Sequence, residues 1–150
     1  MSGAKILVVE DEAIVAEDIK TKLEHHGYEV PAMALSGDEA VQLAASIQPD
    51  LILMDIRMPG KTDGVKAAAQ IKAAQAIPII YLTAFADQET IQRAKITEPF
   101  GYIIKPFTER ELLTTIEIGL YKYQMDTRLR QAEVKYQSLL ENLHEAVFAL

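Results

Sequence analysis

Four short, unbroken runs of mostly aliphatic residues set the strongest limit on what this chain can fold into: Ile6–Val9, Leu51–Met54, Ile77–Leu82 and Tyr102–Ile104. A strand with one wet face alternates apolar and polar residues. A strand covered on both faces does not. These runs therefore predict buried parallel strands. A fifth, weaker candidate spans Tyr28–Leu35, and its Pro31, which has no N–H, assigns it to a sheet edge.

Helical patterns fill the gaps. Ala13–His26 places Ile14, Val15, Ile19 and Leu23 at near-helical spacing, and Gly27 stops it. Ser36-Gly-Asp-Glu39 is a capping box opening a helix to about Ile47. Gly64–Gln75 is alanine-rich and helical, and Asp87–Ile96 forms a shorter helix. Thr108-Glu-Arg-Glu111 is a second capping box, opening a helix that runs to about Asn142. The alternation predicts an α/β fold, a doubly wound parallel sheet with helices on both faces. Five strands favour the flavodoxin-like order 2-1-3-4-5, whose ligand crevice lies beyond the carboxyl ends of strands 1 and 3.

Composition removes several function classes. The chain has no cysteine, so disulfides, thiolate metal sites and cysteine nucleophiles are excluded. No apolar run approaches the roughly 18 residues of a membrane span, and no signal-peptide pattern precedes Ile6; a cytoplasmic location is expected. The net charge is −7, which argues against a nucleic-acid surface. The excess is uneven. Residues 1–120 carry 11 basic and 18 acidic side chains, whereas residues 121–150 carry four of each.

The residues that follow each run carry the chemistry. The first run ends in Glu10-Asp11-Glu12, the third-strand run in Asp55, the fourth in Thr83 and the fifth in Lys105-Pro106. Parallel strands bring all these ends to one rim. Clustered carboxylates are costly unless a cation or a proton relieves them. Hard oxygen donors suit Mg²⁺, which favours partners with phosphate oxygens. A carboxylate beside such an ion can attack a phosphoryl group and form an aspartyl phosphate. Lys105 can neutralise the equatorial oxygens, and Thr83 can donate a hydrogen bond to one.

Residues 3–122 resemble the receiver domain of two-component response regulators. The resemblance rests on Ile6-Leu-Val-Val-Glu-Asp-Glu12, Leu53-Met-Asp-Ile-Arg-Met-Pro-Gly60, Leu82-Thr-Ala84 and Gly101-Tyr-Ile-Ile-Lys-Pro-Phe107. It implies that Asp55 accepts a phosphoryl group from the phosphohistidine of a histidine kinase or phosphotransfer protein. It implies that Glu10, Asp11, Asp55 and the Arg57 main-chain carbonyl hold Mg²⁺, with Mn²⁺ as a substitute. Thr83 and Lys105 would hold the phosphoryl oxygens, Ala84 would keep the approach open, and Tyr102 takes the switch-aromatic position. The Lys105–Pro106 bond is expected to be cis. In this reading the domain catalyses its own phosphotransfer and dephosphorylation. Arg57 and Phe85 occupy positions that flank the phosphate in the family and affect its hydrolysis, and Thr97-Glu98-Pro99 stands where many receivers have a glycine-containing turn.

Plainer roles compete for some of these residues. Glu12 is read as a helix-start charge rather than a metal ligand, and His25 and His26 as cations favoured at a helix end. Met58-Pro59-Gly60 is a turn signal, not a phosphate cradle. The alternative function keeps the fold as a phosphorylation-independent protein-interaction module. An aspartate-nucleophile phosphatase is disfavoured because Arg57 stands where its second acid would. An FMN carrier is disfavoured because Glu10, Asp11 and Asp55 would repel its phosphate.

The last helix divides into two stripes. Leu113, Ile116, Leu120 and Tyr123 form one, expected to pack on the sheet. Met125, Leu129, Ala132, Tyr136, Leu139 and Leu143 form the other, spaced 4, 3, 4, 3, 4 as a heptad seam, expected to pair with a partner chain in parallel. The sequence leaves three assemblies open: a homodimer through this helix, a homodimer through the face of the fourth helix, fifth strand and fifth helix, or a monomer. The stretch from Tyr136 to Leu150 resembles the opening of a PAS sensory domain, with Ala146–Leu150 as the start of a strand. The expected organisation is thus a receiver at 1–122, a helical linker at 123–143 and the start of a truncated PAS-like domain at 144–150. Such an order resembles sensor histidine kinases with an N-terminal receiver, whose PAS and kinase output would lie downstream; no kinase core and no DNA-binding domain are recognisable in this sequence.

Overall fold

In a computed structural model of the protein, residues 3–84 and 87–148 are described, with side chains to residue 145. Five strands, β1 (Ile6–Val9), β2 (Met33–Ala34), β3 (Leu51–Asp55), β4 (Ile79–Ala84) and β5 (Gly101–Lys105), form one parallel sheet in the order β2-β1-β3-β4-β5. The helices are α1 (Ala13–His25), α2 (Gly37–Ile47), α3 (Gly64–Ala74), α4 (Gln88–Ala94) and α5 (Glu109–Phe148). The expected fold class and strand order are the observed ones.

The unbroken apolar runs are explained by the two-residue period of a strand. Leu7, Val9, Ile52, Met54, Ile79 and Tyr81 face one side, where Ala40 and Ala44 of α2 and Val65, Ala68 and Ile71 of α3 cover them. Ile6, Val8, Leu51, Leu53, Ile80 and Leu82 face the other, against Ala16, Ile19 and Leu23 of α1 and Leu112, Ile116 and Leu120 of α5. All these sheet residues are at most 2% exposed and none of them is charged. Charged groups stand at the strand ends.

The caps follow the sequence. Ser36 Oγ accepts from the Glu39 N–H at 3.2 Å, and Thr108 Oγ1 from the Glu111 N–H at 3.1 Å. The Glu39 carboxylate reaches the Leu35 N–H instead of that of Ser36. Three elements differ from expectation. The edge strand is reduced to Met33–Ala34 and a single bridge at Glu29, because Pro31 between them cannot donate to a ladder. The helix expected to reach Ile96 ends at Ala94 and tightens into a 3₁₀ turn over Lys95–Thr97, leaving Ile96 exposed. There Thr97 Oγ1 donates to Ala94 O and receives the Tyr81 hydroxyl, Lys72 Nζ donates to Thr97 O, and Glu98 takes the left-handed conformation before Pro99. Finally, no strand starts at Ala146: residues 146–148 continue α5, and Ala149 and Leu150 lie outside the described residues. A helix satisfies its own backbone, whereas a strand needs a neighbour.

The chain divides into two compact units, Met1–Leu120 and Tyr121–Leu150. The second is helical throughout its described part. No described helix is long and apolar enough to cross a membrane.

Gly64 opens α3 where it touches the end of β3. A methyl group there would sit 2.1 Å from the Asp55 carbonyl oxygen. Gly64→Ala is expected to lower stability by about 3 kcal/mol, since neither backbone can retreat from a packed sheet. Urea unfolding of the variant beside wild type checks this.

Candidate functional site

Strand register assembles the rim. Val9 pairs with Met54, Asp55 with Leu82, Thr83 with Ile104 and Ala84 with Lys105. Glu10 therefore leaves β1 beside the end of β3, while Thr83 and Lys105 arrive from the far side. Glu10, Asp55 and Thr83 are buried, at 0, 5 and 1% exposure, and Asp11 is exposed. One carboxylate oxygen each from Glu10, Asp11 and Asp55 lies within 4.8 Å of the others. Glu12 contributes nothing to this group. It is the N-cap of α1, and its N–H donates to Glu10 Oε1 at 3.3 Å.

Lys105 bridges the two buried acids. Its Nζ donates to Glu10 Oε2 at 2.9 Å and to Asp55 Oδ2 at 3.0 Å. The other oxygen of Asp55 accepts the Arg57 N–H at 3.1 Å. Burial pushes the Glu10 carboxyl up to about 7; the adjacent Asp55 adds to this, and Lys105 only partly offsets it. For Lys105, burial works to lower the pKa, but the hydrogen bond to Glu10 and the charge of Asp55 outweigh it, and the net shift is upward. Three carboxylates beside an ammonium suit a hard divalent cation together with an anionic ligand. The Lys105–Pro106 peptide is cis.

Thr83 is placed at the rim, but its hydroxyl donates to its neighbour's carbonyl, Ala84 O, at 3.2 Å. Tyr102 lies one strand away, stacked on Tyr81 with centroids 5.9 Å apart. Its hydroxyl is buried without a hydrogen-bond partner among the described residues. Phe85 lies outside the described residues.

Sequence reasoning missed Asp87. It occupies the N-cap position of α4, yet its side chain caps nothing there. It turns back instead: Oδ2 accepts the Ala84 N–H at 3.3 Å, and Oδ1 pairs with Arg57 Nε. Asp87 is buried, whereas Arg57 is largely exposed. The pair ties the loop after β3 to the loop after β4, and both loops border Asp55. Nothing in the sequence connects Asp87 with Arg57, which stand 30 positions apart. Next to the pair, Asp11, Arg57, Asp63, Thr90 and Arg93 line a cleft of about 520 Å³, with Arg93 and Asp63 themselves paired at 3.3 Å.

Two measurements probe this electrostatic arrangement. The unfolded chain releases the Glu10 proton near 4.5, while the folded chain keeps it to about 7. The native state thus holds the extra proton between those values, and stability contributed by this group falls as pH rises through them. The urea midpoint of metal-free wild type should decline between pH 4.5 and 7 more steeply than that of Glu10→Gln; equal slopes would overturn the assignment. Tyr102→Phe removes a buried hydroxyl that has no partner, and a gain of about 1 kcal/mol is expected in the same assay.

Comparison with known proteins places this arrangement. The family model described as "Response regulator receiver domain" matches residues 6–117. The transcriptional regulatory protein PdtaR of Mycobacterium tuberculosis is 37% identical over 125 residues, covering 83% of this chain. This chain spans 60% of that relative's length. The signal receiver domain of a modulated diguanylate cyclase from Desulfovibrio desulfuricans G20 superposes with a TM-score of 0.78 at 38% identity, covering 83% of this chain and 99% of its own. The N-terminal domain of a response regulator/sensory box/GGDEF three-domain protein from Carboxydothermus hydrogenoformans gives 0.76 at 35% identity, covering 82% and 98%.

Proposed function

The chain belongs to the family of response regulator receiver domains, and from that premise we propose that Asp55 is its phosphoacceptor in two-component signal transduction. The observation that carries the proposal is the position of Asp55: buried at the end of a central strand, 3.0 Å from Lys105 and in reach of the Glu10 and Asp11 oxygens. The donor is the phosphohistidine of a histidine kinase or phosphotransfer protein. An Asp55 carboxylate oxygen attacks phosphorus; the P–O bond forms as the P–N bond breaks, and the imidazole leaves with the electron pair and takes a proton from the medium. Lys105, already at Asp55, neutralises the transferred oxygens. Asp11, Glu10, Asp55 and the Arg57 main-chain carbonyl are the ligands available to Mg²⁺, or to Mn²⁺ in its place. When bound, the ion supplies positive charge against the phosphoryl oxygens.

Thr83 gives up its bond to Ala84 O and donates to a phosphoryl oxygen. That exchange is cheap, because the bond it leaves is a local one. Tyr102 has no hydroxyl partner to lose, so a change of its position breaks no hydrogen bond. Phosphorylation thereby shifts a two-state equilibrium of the β4–α4 loop and the β5 face. Arg57, whose side chain is paired with Asp87, affects how readily water reaches the acyl phosphate. The output is a PAS-type sensory or kinase domain reached through α5, in a cytoplasmic protein. The Carboxydothermus protein, whose name joins a response regulator to a sensory box, offers a parallel for that order.

Intact mass after incubation with a small phosphodonor tests the assignment. One phosphoryl adduct is expected on wild type with Mg²⁺, and none without the ion or in Asp55→Asn. An adduct that persists in the variant would overturn the acceptor. No adduct from either a small donor or a phosphohistidine protein would favour the phosphorylation-independent interaction module.

A further inference from the structure

We propose that the C-terminal half of α5 pairs in parallel, and in register, with a second copy of this chain, with Arg128 of each copy meeting Glu133 of the other. The proposal is independent of the phosphoryl chemistry. Its first support is exposure. Met125, Leu129, Tyr136, Leu139 and Leu143 fall on one stripe and are 38, 60, 62, 57 and 60% exposed. A single straight helix cannot cover its own stripe. The spacing places Met125, Ala132 and Leu139 at heptad position d, and Leu129, Tyr136 and Leu143 at position a.

That frame puts Arg128 and Lys135 at position g, and Asp126, Glu133 and Leu140 at position e. In a parallel pair, each g residue faces the e residue five places on in the other helix. Arg128 then faces Glu133, twice by symmetry, and Lys135 faces Leu140, along which its stem can lie. An antiparallel pair sets g against g and e against e. With the stripes aligned, Lys135 would lie by its own copy and Glu133 by its own copy, two like-charge contacts. Charge thus selects parallel pairing of identical chains. Neither Arg128 nor Glu133 has an ion-pair partner among the described residues. Net charge does not oppose the contact, because residues 121–150 carry four acidic and four basic side chains while the acidic excess lies in residues 1–120. Fewer than three heptads make a weak coil, so association is concentration-dependent.

Sedimentation velocity over a concentration series of the full chain tests the pairing. Wild type should pass from monomer to dimer. Arg128→Glu should weaken the dimer about tenfold, since two attractive exposed contacts become repulsive. Glu133→Arg should do the same, and the double exchange should restore the dimer. Because the chain has no cysteine, Leu139→Cys supplies a directional readout: oxidation should link two copies only if residue 139 meets itself, as in a parallel pair. A monomer at every concentration, a trimer, a dimer indifferent to Arg128→Glu, a double exchange that fails to restore it, or a Leu139→Cys dimer that does not cross-link would each overturn the proposal.

Discussion

Two carboxylates buried side by side repel each other and lose their hydration. Glu10 and Asp55 are in that position, and the ammonium of Lys105 holds them together at 2.9 and 3.0 Å. The three side chains come from three different strands. The contact therefore exists only when β1, β3 and β5 reach the same rim in the observed register. The compensation is incomplete: the Glu10 carboxyl still sits near 7. Burial is the main cause of that upward shift, with Asp55 adding to it; a cation placed among the three acids Glu10, Asp11 and Asp55 would favour their charged forms.

The rest of the fold serves to keep that rim dry on both sides and accessible at its edge. Alanines of α2 and α3 let helices approach one face of the sheet closely, and larger aliphatics of α1 and α5 fill the other. Gly64 lets α3 begin against the Asp55 carbonyl. The loops that follow β3 and β4 also carry polar contacts, beside the packing of Ile56 and Met58 into the core. Thr83 bonds to its neighbour, and Asp87 bonds to the Ala84 N–H and to Arg57. The Thr83 bond is a local one that costs little to exchange, whereas the Asp87 carboxylate is buried and needs its partners.

Much of this was legible in the chain. Unbroken apolar runs read as two-sided strands, and the residues just past them read as a rim, because parallel topology gives every strand end the same address. The motifs around Asp55, Thr83 and Lys105 then pointed to one family. Legibility failed where long-range partners decide. Tyr28–Leu35 looked like a strand, but Pro31 confines its pairing to a short segment. Asp87–Ile96 looked like a helix, but Thr97 and Lys72 draw its end into a 3₁₀ turn. Asp87 stood in the sequence only as the first residue of a short helix, and only the approach of Arg57 from another loop revealed its use.

Taken by itself, the sequence determined the fold class, the strand order, the rim residues and the heptad stripe of α5. Each of these follows from local periodicity and from chirality, which act along the chain. Tertiary structure decided which rim acids are buried and which remain exposed, that Lys105 contacts both Glu10 and Asp55, that the Tyr102 hydroxyl has no partner, and that Arg57 is drawn to Asp87. Those outcomes depend on desolvation and on distances between residues far apart in sequence. Such quantities come into being only once the strands are in register and water has left the space between them.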